Sequence, residues 1–158
     1  MVELFPSSAG ITQVRGVIKI VKDNGGSMGI AELADEAEEE IDDLFPILDA
    51  CKLLRLLEVK DGKVKLAYTL ENADARGISK VIKSRLQDIE PFKTVLMALK
   101  IEGDSNTGRL VNALQSNNIL LFDDERKSAE ALRKMLVKWA VRVKLLVYEQ
   151  GSDSWKLA

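Results

Sequence analysis

An acidic cluster offers the first set of side chains with catalytic or binding chemistry. It comprises Glu38, Glu39, Glu40, Asp42 and Asp43. Carboxylates can act as general acids and bases, but nothing in the spacing of these residues marks a catalytic pair. The run has the character of a solvated surface, so we interpret the acidic cluster as a candidate for protein contact.

A basic cluster lies between residues 126 and 144, where seven basic side chains stand against the single acid Glu130. Lys127, Glu130, Lys134 and Lys138 fall along one stripe of a predicted helix. The candidates for contact with nucleic-acid phosphates are Lys127, Arg133, Lys134, Lys138 and Arg142. We favour a solvated face with an i, i+4 pair between Glu130 and Lys134. A third alternative is a face that meets an acidic partner, including another copy of the chain.

The residue types that many catalytic and cofactor sites need are missing from this sequence. It has no histidine and one cysteine, and it contains neither GxxxxGK[ST] nor GxGxxG. Histidine is the commonest general base and a common zinc ligand, and the two glycine motifs cradle phosphates. Cys51 falls on the apolar side of a predicted helix, which favours a core residue over a nucleophile. We expect no enzyme activity, no cofactor and no metal site.

Composition indicates a globular chain. The 158 residues are 46% hydrophobic and 30% charged, and no apolar run approaches the roughly 20 residues of a membrane span. The first ten residues lack a basic region followed by an apolar one, so we see no signal peptide. A single cysteine permits no internal disulfide. These features predict a cytoplasmic protein without membrane insertion.

The acidic cluster lies where turn and cap signals predict the start of a helix that leads into a β-hairpin. Asp42 is the predicted N-cap, and Pro46 falls in the predicted first turn. Carboxylates there favour the positive end of the helix dipole. Alternating residues on both sides of Asp61-Gly62 predict a hairpin with one apolar face. That face comprises Leu57, Val59, Val64 and Leu66.

The order helix, glycine turn, short helix, longer helix and hairpin occurs twice. VIKIVKDNGGS (17–27) parallels VLMALKIEGDS (95–105), and LLRLLEVKDGKVKLA (53–67) parallels VKLLVYEQGSDSWKLA (143–158). The repeat predicts a mainly α fold with small β-hairpins (α+β), arranged as tandem winged helix-turn-helix units. The predicted units are residues 1–70 and 89–158, joined by a connecting helix within 71–88. Alternatively, the two units form one compact domain.

Charge and aromatic placement disfavour a nucleic-acid partner. Residues 1–70 carry 8 basic and 13 acidic side chains (net −5), and residues 71–158 carry 15 and 12 (net +3), which sum to −2. The predicted recognition helix of the first unit therefore begins with carboxylates that would repel phosphate. The apolar patterns that are typical of a core contain Phe5, Phe45, Phe92, Phe122 and Trp139. Tyr148 and Trp155 lie on the last hairpin, in core or interface.

Short motifs over most of the chain match a known pattern. They are Phe5-Pro6-Ser7, Gly10, Gly25-Gly26, Ala31-Glu32-Leu33-Ala34, Asp42-Asp43-Leu44-Phe45-Pro46-Ile47, Leu53-Leu54, Asp61-Gly62, Trp139, Leu145 and Tyr148. With them the chain resembles the C-terminal AAA-associated domain family, from about Leu4 to Tyr148. It departs from the family at Tyr68-Thr69-Leu70-Glu71-Asn72, where a glycine is usual, and at Ala140-Val141-Arg142.

The resemblance implies an accessory domain of ATP-binding proteins from nitrate/sulfonate/bicarbonate-type ABC transporters, here as a stand-alone chain. The ATP-binding motifs of such systems belong to the upstream cassette, so the resemblance supplies no catalytic residue. It implies a regulatory or interaction module that docks on an ATP-binding subunit, on a permease or on itself. The acidic cluster is the leading contact surface. The alternative is a winged-helix DNA-binding transcriptional regulator that uses the basic helix 126–144.

Overall fold

The computed structural model describes residues 3–158, which divide into two compact units. The first unit is Ser8–Ile82, and the second unit is Lys83–Ala158 together with the segment that ends at Ser7. The described chain is mainly helical with two small antiparallel sheets, which confirms the predicted mixture of helices and hairpins.

The first unit contains a helix, a short strand, two further helices and a hairpin. These elements are α1 (Ile11–Asp23), β1 (Ser27–Gly29), α2 (Ile30–Glu36), α3 (Ile41–Leu53), β2 (Leu57–Lys60) and β3 (Lys63–Leu66). The strands form an antiparallel sheet in the order β1-β3-β2. A 3₁₀ turn (Tyr68–Leu70) and α4 (Ala75–Leu86) follow, and the boundary between the units falls within α4.

The second unit repeats this order of helices and strands. Its elements are α5 (Phe92–Glu102), β4 (Asp104–Ser105), α6 (Thr107–Ser116), α7 (Glu125–Met135), a π-helical segment (Leu136–Val141), β5 (Leu146–Glu149) and β6 (Ser154–Leu157). Its sheet has the order β4-β6-β5, which matches the order of the first sheet.

The first hairpin forms as its sequence predicts. Asp61 and Gly62 have φ angles of 53° and 74°, the positive values that a two-residue hairpin turn needs. Val59 pairs with Val64 across the strands. Leu57, Val64 and Leu66 are buried and Val59 is half-buried, so the predicted apolar face is confirmed.

The core of the first unit lies between the apolar faces of α1 and α3. The spacing of Ile11, Val14, Ile18 and Val21 at i, i+3, i+7 and i+10 predicts one apolar helical face, and all four are buried in α1. The sequence also predicts Ser7 or Ser8 as the cap of this helix. The N-cap is instead Gly10, whose N–H donates to Oε1 of Gln13 at 2.9 Å.

The start of α3 also corrects the prediction. Glu40, not Asp42, is the N-cap, because its carbonyl already accepts from the N–H of Leu44 at 3.0 Å. Asp42 and Asp43 are the second and third residues of the helix, in its first turn. Pro46 is therefore the sixth helical residue and does not lie in the first turn. At this position another residue would donate its N–H to the carbonyl of Asp42, but proline has no N–H.

Three of the aromatic rings in the core of the second unit pack in one cluster. Phe5 meets Phe92 and Trp139 edge-on, with centroids 5.4 Å and 4.6 Å apart. All three rings are buried, as the sequence predicts. The same prediction is wrong for Phe45 and Phe122, which are 46% and 47% exposed.

Candidate functional site

The acidic cluster lies on the surface, at the corner between α2 and α3. We call residues 38–43 the acidic tip. Glu38 has a left-handed backbone with φ 55°, and Glu40 is the N-cap of α3. Glu39 is half-buried, and its N–H donates to the carbonyl of Ala34 at 3.0 Å. The side chains of Asp42 and Asp43 are exposed in the first turn, so the corner presents its carboxylates to solvent.

Two apolar side chains accompany these carboxylates. Ile41 is 45% exposed and Phe45 is 46% exposed, one helical turn apart on α3. Carboxylates and exposed apolar side chains are therefore next to each other at this corner.

The helical stripe of Lys127, Glu130, Lys134 and Lys138 borders a groove of about 260 Å³, which we call the basic groove. It is lined by Ser7, Phe122, Lys127, Glu130, Ala131, Lys134 and Lys138. The three lysines are exposed, and Glu130 contributes one opposite charge. The structure thus brings three of the five predicted phosphate contacts to one place.

Ser128 positions the aromatic ring of the basic groove. Its buried hydroxyl donates to the carbonyl of Phe122 at 2.9 Å and accepts from the N–H of Phe122 at 3.0 Å. Asp124 caps α7 by accepting from the N–H of Arg126 at 2.8 Å. The segment before α7 is therefore held against the helix while the side chain of Phe122 remains half exposed.

Arg133 and Arg142 do not join the basic groove. Arg133 lines a neighbouring cavity of about 410 Å³ with Val137, Tyr148 and Gln150, and this cavity shares Lys134 and Lys138 with the basic groove. Its Nε atom lies 3.9 Å from Oδ1 of Asp153. Arg142 is exposed and lines neither cavity. The five candidates for nucleic-acid contact therefore do not all line one groove.

Asp153 organises a polar network that the sequence did not reveal. Its Oδ1 accepts from the hydroxyls of Thr107 and Tyr148 at 2.6 Å and 2.8 Å, and its Oδ2 accepts from the N–H of Thr107 at 3.2 Å. Tyr148 stacks on Trp155 with centroids 4.0 Å apart. Asp153 lies only in a hairpin loop, so no periodic signal identified it.

The network shifts two pKa values in opposite directions. Partial desolvation raises the pKa of Asp153, but the hydrogen bonds from Thr107 and Tyr148 and the charge of Arg133 outweigh it, so its pKa is lowered. Partial desolvation, together with the hydrogen bond to Asp153 and its charge, raises the pKa of Tyr148. The hydrogen bond between the two side chains contributes to both shifts, because it stabilises ionised Asp153 and protonated Tyr148.

Three further features bear on chemistry. Cys51 is fully buried, and desolvation raises the pKa of its thiol to about 12. Among residues 3–158, no group of three or more Cys, Asp or Glu side chains has an arrangement that could hold a metal ion. In the same residues, no helix has the length and apolar character to cross a bilayer.

The described residues form a small, mainly helical protein with two exposed charged surfaces, and comparison with known families assigns its family. The model of the C-terminal AAA-associated domain matches residues 31–149, so the chain belongs to that family. The match contains the acidic tip and the basic lysines. It begins after Phe5-Pro6-Ser7, Gly10 and Gly25-Gly26, which lie outside the matched span. No curated protein matches the chain.

Proposed function

We propose that this chain is a non-catalytic protein-interaction module that regulates the ATPase of an ABC transporter in the cytoplasm. Its family membership supports an ATPase system as the setting. The resemblance to accessory domains of nitrate/sulfonate/bicarbonate-type transporters supports the ABC class. The partner in this proposal is the ATP-binding subunit or the permease that it energises.

We also propose that each unit is a winged helix-turn-helix, so that the chain contains an internal repeat. The order helix, strand, two helices and hairpin in both units supports this, together with the matching sheet orders β1-β3-β2 and β4-β6-β5. In that arrangement α3 occupies the place of the recognition helix of the first unit. The acidic tip is then at the end that would approach a ligand.

The observation that carries the proposal is the exposed acidic tip with Ile41 and Phe45 beside it. A nucleic acid would be repelled by these carboxylates, whereas a protein surface with Lys, Arg and apolar side chains would complement them. The acidic tip is therefore proposed as the surface that contacts the ATPase.

Reversal of charge at the acidic tip tests the proposal. The double variant Asp42→Lys/Asp43→Lys should weaken binding to a purified cognate ATP-binding subunit of an ABC transporter, as measured by calorimetry. Lys60→Glu/Lys63→Glu on the hairpin changes as many exposed charges and should leave binding unchanged. Equal binding by both variants and the natural chain would remove the acidic tip from the interface.

A nucleic-acid function is the second candidate, and the meeting of Lys127, Lys134 and Lys138 at one groove favours it. A winged-helix regulator that used this surface would bind DNA with an affinity that falls steeply with salt. Fluorescence anisotropy with duplex DNA at low salt tests this. Binding that is absent, or that is indifferent to Lys134→Ala/Lys138→Ala, would end this alternative.

A further inference from the structure

The basic groove is suited to a ligand that is both anionic and apolar. Lys127, Lys134 and Lys138 supply positive charge, and Phe122 supplies a ring that is 47% exposed. An inorganic anion would meet the lysines but would leave this ring in water. A peptide segment with carboxylates and an aromatic or branched side chain would satisfy both parts of the groove.

The acidic tip of this same chain has that chemistry. It carries five carboxylates within residues 38–43. Beside them, the apolar side chains of Ile41 and Phe45 lie one helical turn apart and are 45% and 46% exposed. The two surfaces are therefore complementary in charge and in apolar character.

We propose that the acidic tip of one copy of this chain docks in the basic groove of a second copy. Carboxylates of the acidic tip face Lys127, Lys134 and Lys138, and the apolar side chain of Phe45 meets Phe122. Glu130 is the one like charge in the groove, and its repulsion limits the affinity. Because both partner surfaces lie on the same chain, the contact is a form of self-association.

The proposed contact is small and charged, which sets its strength and its salt dependence. We expect a Kd of roughly 1 µM to 1 mM, because exposed charge pairs each add little to the binding free energy. Exposed charge pairs are screened as the Debye length falls from about 30 Å at 0.01 M salt to about 3 Å at 1 M. Self-association should therefore increase with protein concentration and should disappear at high salt.

Mixing two charge-reversed variants tests the pairing of these surfaces. Asp42→Lys/Asp43→Lys replaces two of the five tip carboxylates with lysines and keeps a natural groove, whereas Lys134→Glu/Lys138→Glu keeps a natural tip and replaces two groove lysines with carboxylates. Each variant alone should lose affinity for itself by about tenfold or more, because its substituted side chains meet like charges on the other copy. An equimolar mixture should regain association, since the natural tip of one variant meets the natural groove of the other.

The measurement is weight-average mass by sedimentation equilibrium across the expected Kd range at low and high salt. Circular dichroism confirms that the exposed substitutions leave the fold intact. Lys60→Glu/Lys63→Glu is the matched control for altered charge and should associate as the natural chain does. A natural chain that stays monomeric at every concentration, or a mixture that does not associate more than the separate variants, would overturn the proposal.

This inference does not rest on the proposed ATPase interaction, and the two can fail separately. Lys134→Glu/Lys138→Glu should weaken self-association by about tenfold or more but should retain binding to the ATP-binding subunit through its natural tip. If self-association is present and the subunit does not bind, only the ATPase proposal fails. If both are present, they compete for the acidic tip, so excess subunit should dissociate the self-associated form.

Discussion

The hydroxyl of Thr107 donates to Oδ1 of Asp153 at 2.6 Å and accepts from Nε1 of the buried Trp155 at 2.9 Å. Thr107 is the first residue of α6, and its N–H donates to Oδ2 of Asp153 at 3.2 Å. In the first unit, Ile30 begins α2, and its N–H donates to the carbonyl of Gly62 at 2.9 Å. A side-chain carboxylate in one unit thus takes the place of a backbone acceptor in the other.

Asp153→Asn tests the contribution of this carboxylate to stability. Asparagine tolerates the positive φ of 48° at this position, so the change removes charge without adding backbone strain. It offers one oxygen where Asp153 uses two, and its amide faces a donor. We expect a loss of about 1–3 kcal/mol in the free energy of unfolding, measured with urea. The exposed control Asp88→Asn should change it by less than about 0.5 kcal/mol.

Acid should erase the difference between the natural chain and Asp153→Asn. The pKa of Asp153 is lowered in the folded state, so its contribution is present above the unfolded value of about 3.9. The contribution is lost as pH falls through the lower folded-state pKa. Urea midpoints taken from about pH 6 downward should converge for the two proteins in this range. A difference that stays constant with pH would mean that the charge of Asp153 contributes nothing.

Periodic patterns made much of the fold predictable. The apolar face of α1 and the alternation around Asp61-Gly62 state which side chains are buried, and the structure confirms both. Details that depend on tertiary contacts were not predictable. The N-cap is Glu40 and not Asp42, because the carbonyl of Glu40 already accepts the first helical hydrogen bond. No side chain caps this helix, so the side-chain preferences that predicted Asp42 did not decide its start. Two hydrogen bonds to the hydroxyl of Ser128 fix the backbone of Phe122 while its ring stays half exposed, and no periodic pattern signals this contact.

The sequence identified the charged residues of the two surfaces, but it predicted only some of their positions in the structure. The helical stripe correctly grouped Lys127, Lys134 and Lys138, because side chains three, four and seven positions apart share a face. Arg133 lies one residue before Lys134 and so outside that stripe, and its side chain pairs with Asp153, twenty positions further along the chain. Such a pairing has no signature in local spacing, so neither it nor the role of Thr107 could be inferred.

Cys51 should report opening of the first unit. Its thiol is fully buried with a pKa raised to about 12, so a thiol reagent should label the native chain far more slowly than a urea-unfolded one. The stabilising effect of a raised thiol pKa is complete below the unfolded value of about 8.5 and is lost as pH rises toward 12. Stability should therefore fall above about pH 9, and Cys51→Ala should fall less steeply. Rapid stoichiometric labelling under native conditions would contradict this burial.

Phe5 should stabilise the second unit even though about 80 residues of sequence separate it from Lys83, where the main part of that unit begins. Its ring contacts Phe92 and Trp139 edge-on, and its N–H donates to the carbonyl of Glu90 at 2.9 Å. Phe5→Ala removes both ring contacts and leaves a cavity, so we expect a loss of about 3–5 kcal/mol in the free energy of unfolding. Tryptophan fluorescence during urea unfolding measures it, because Trp139 and Trp155 are both buried in the second unit.

A matched control separates this effect from a general loss of apolar surface. Ile101 is 83% exposed on α5, so Ile101→Ala removes an apolar side chain without opening a cavity and should cost less than about 0.5 kcal/mol. Phe5→Leu keeps most of the volume and should fall between the two. If Phe5→Ala were as mild as Ile101→Ala, the initial segment would not be part of the folded core. The expected order of stability is thus Ile101→Ala, then Phe5→Leu, then Phe5→Ala, because each step leaves Trp139 with less of its packing.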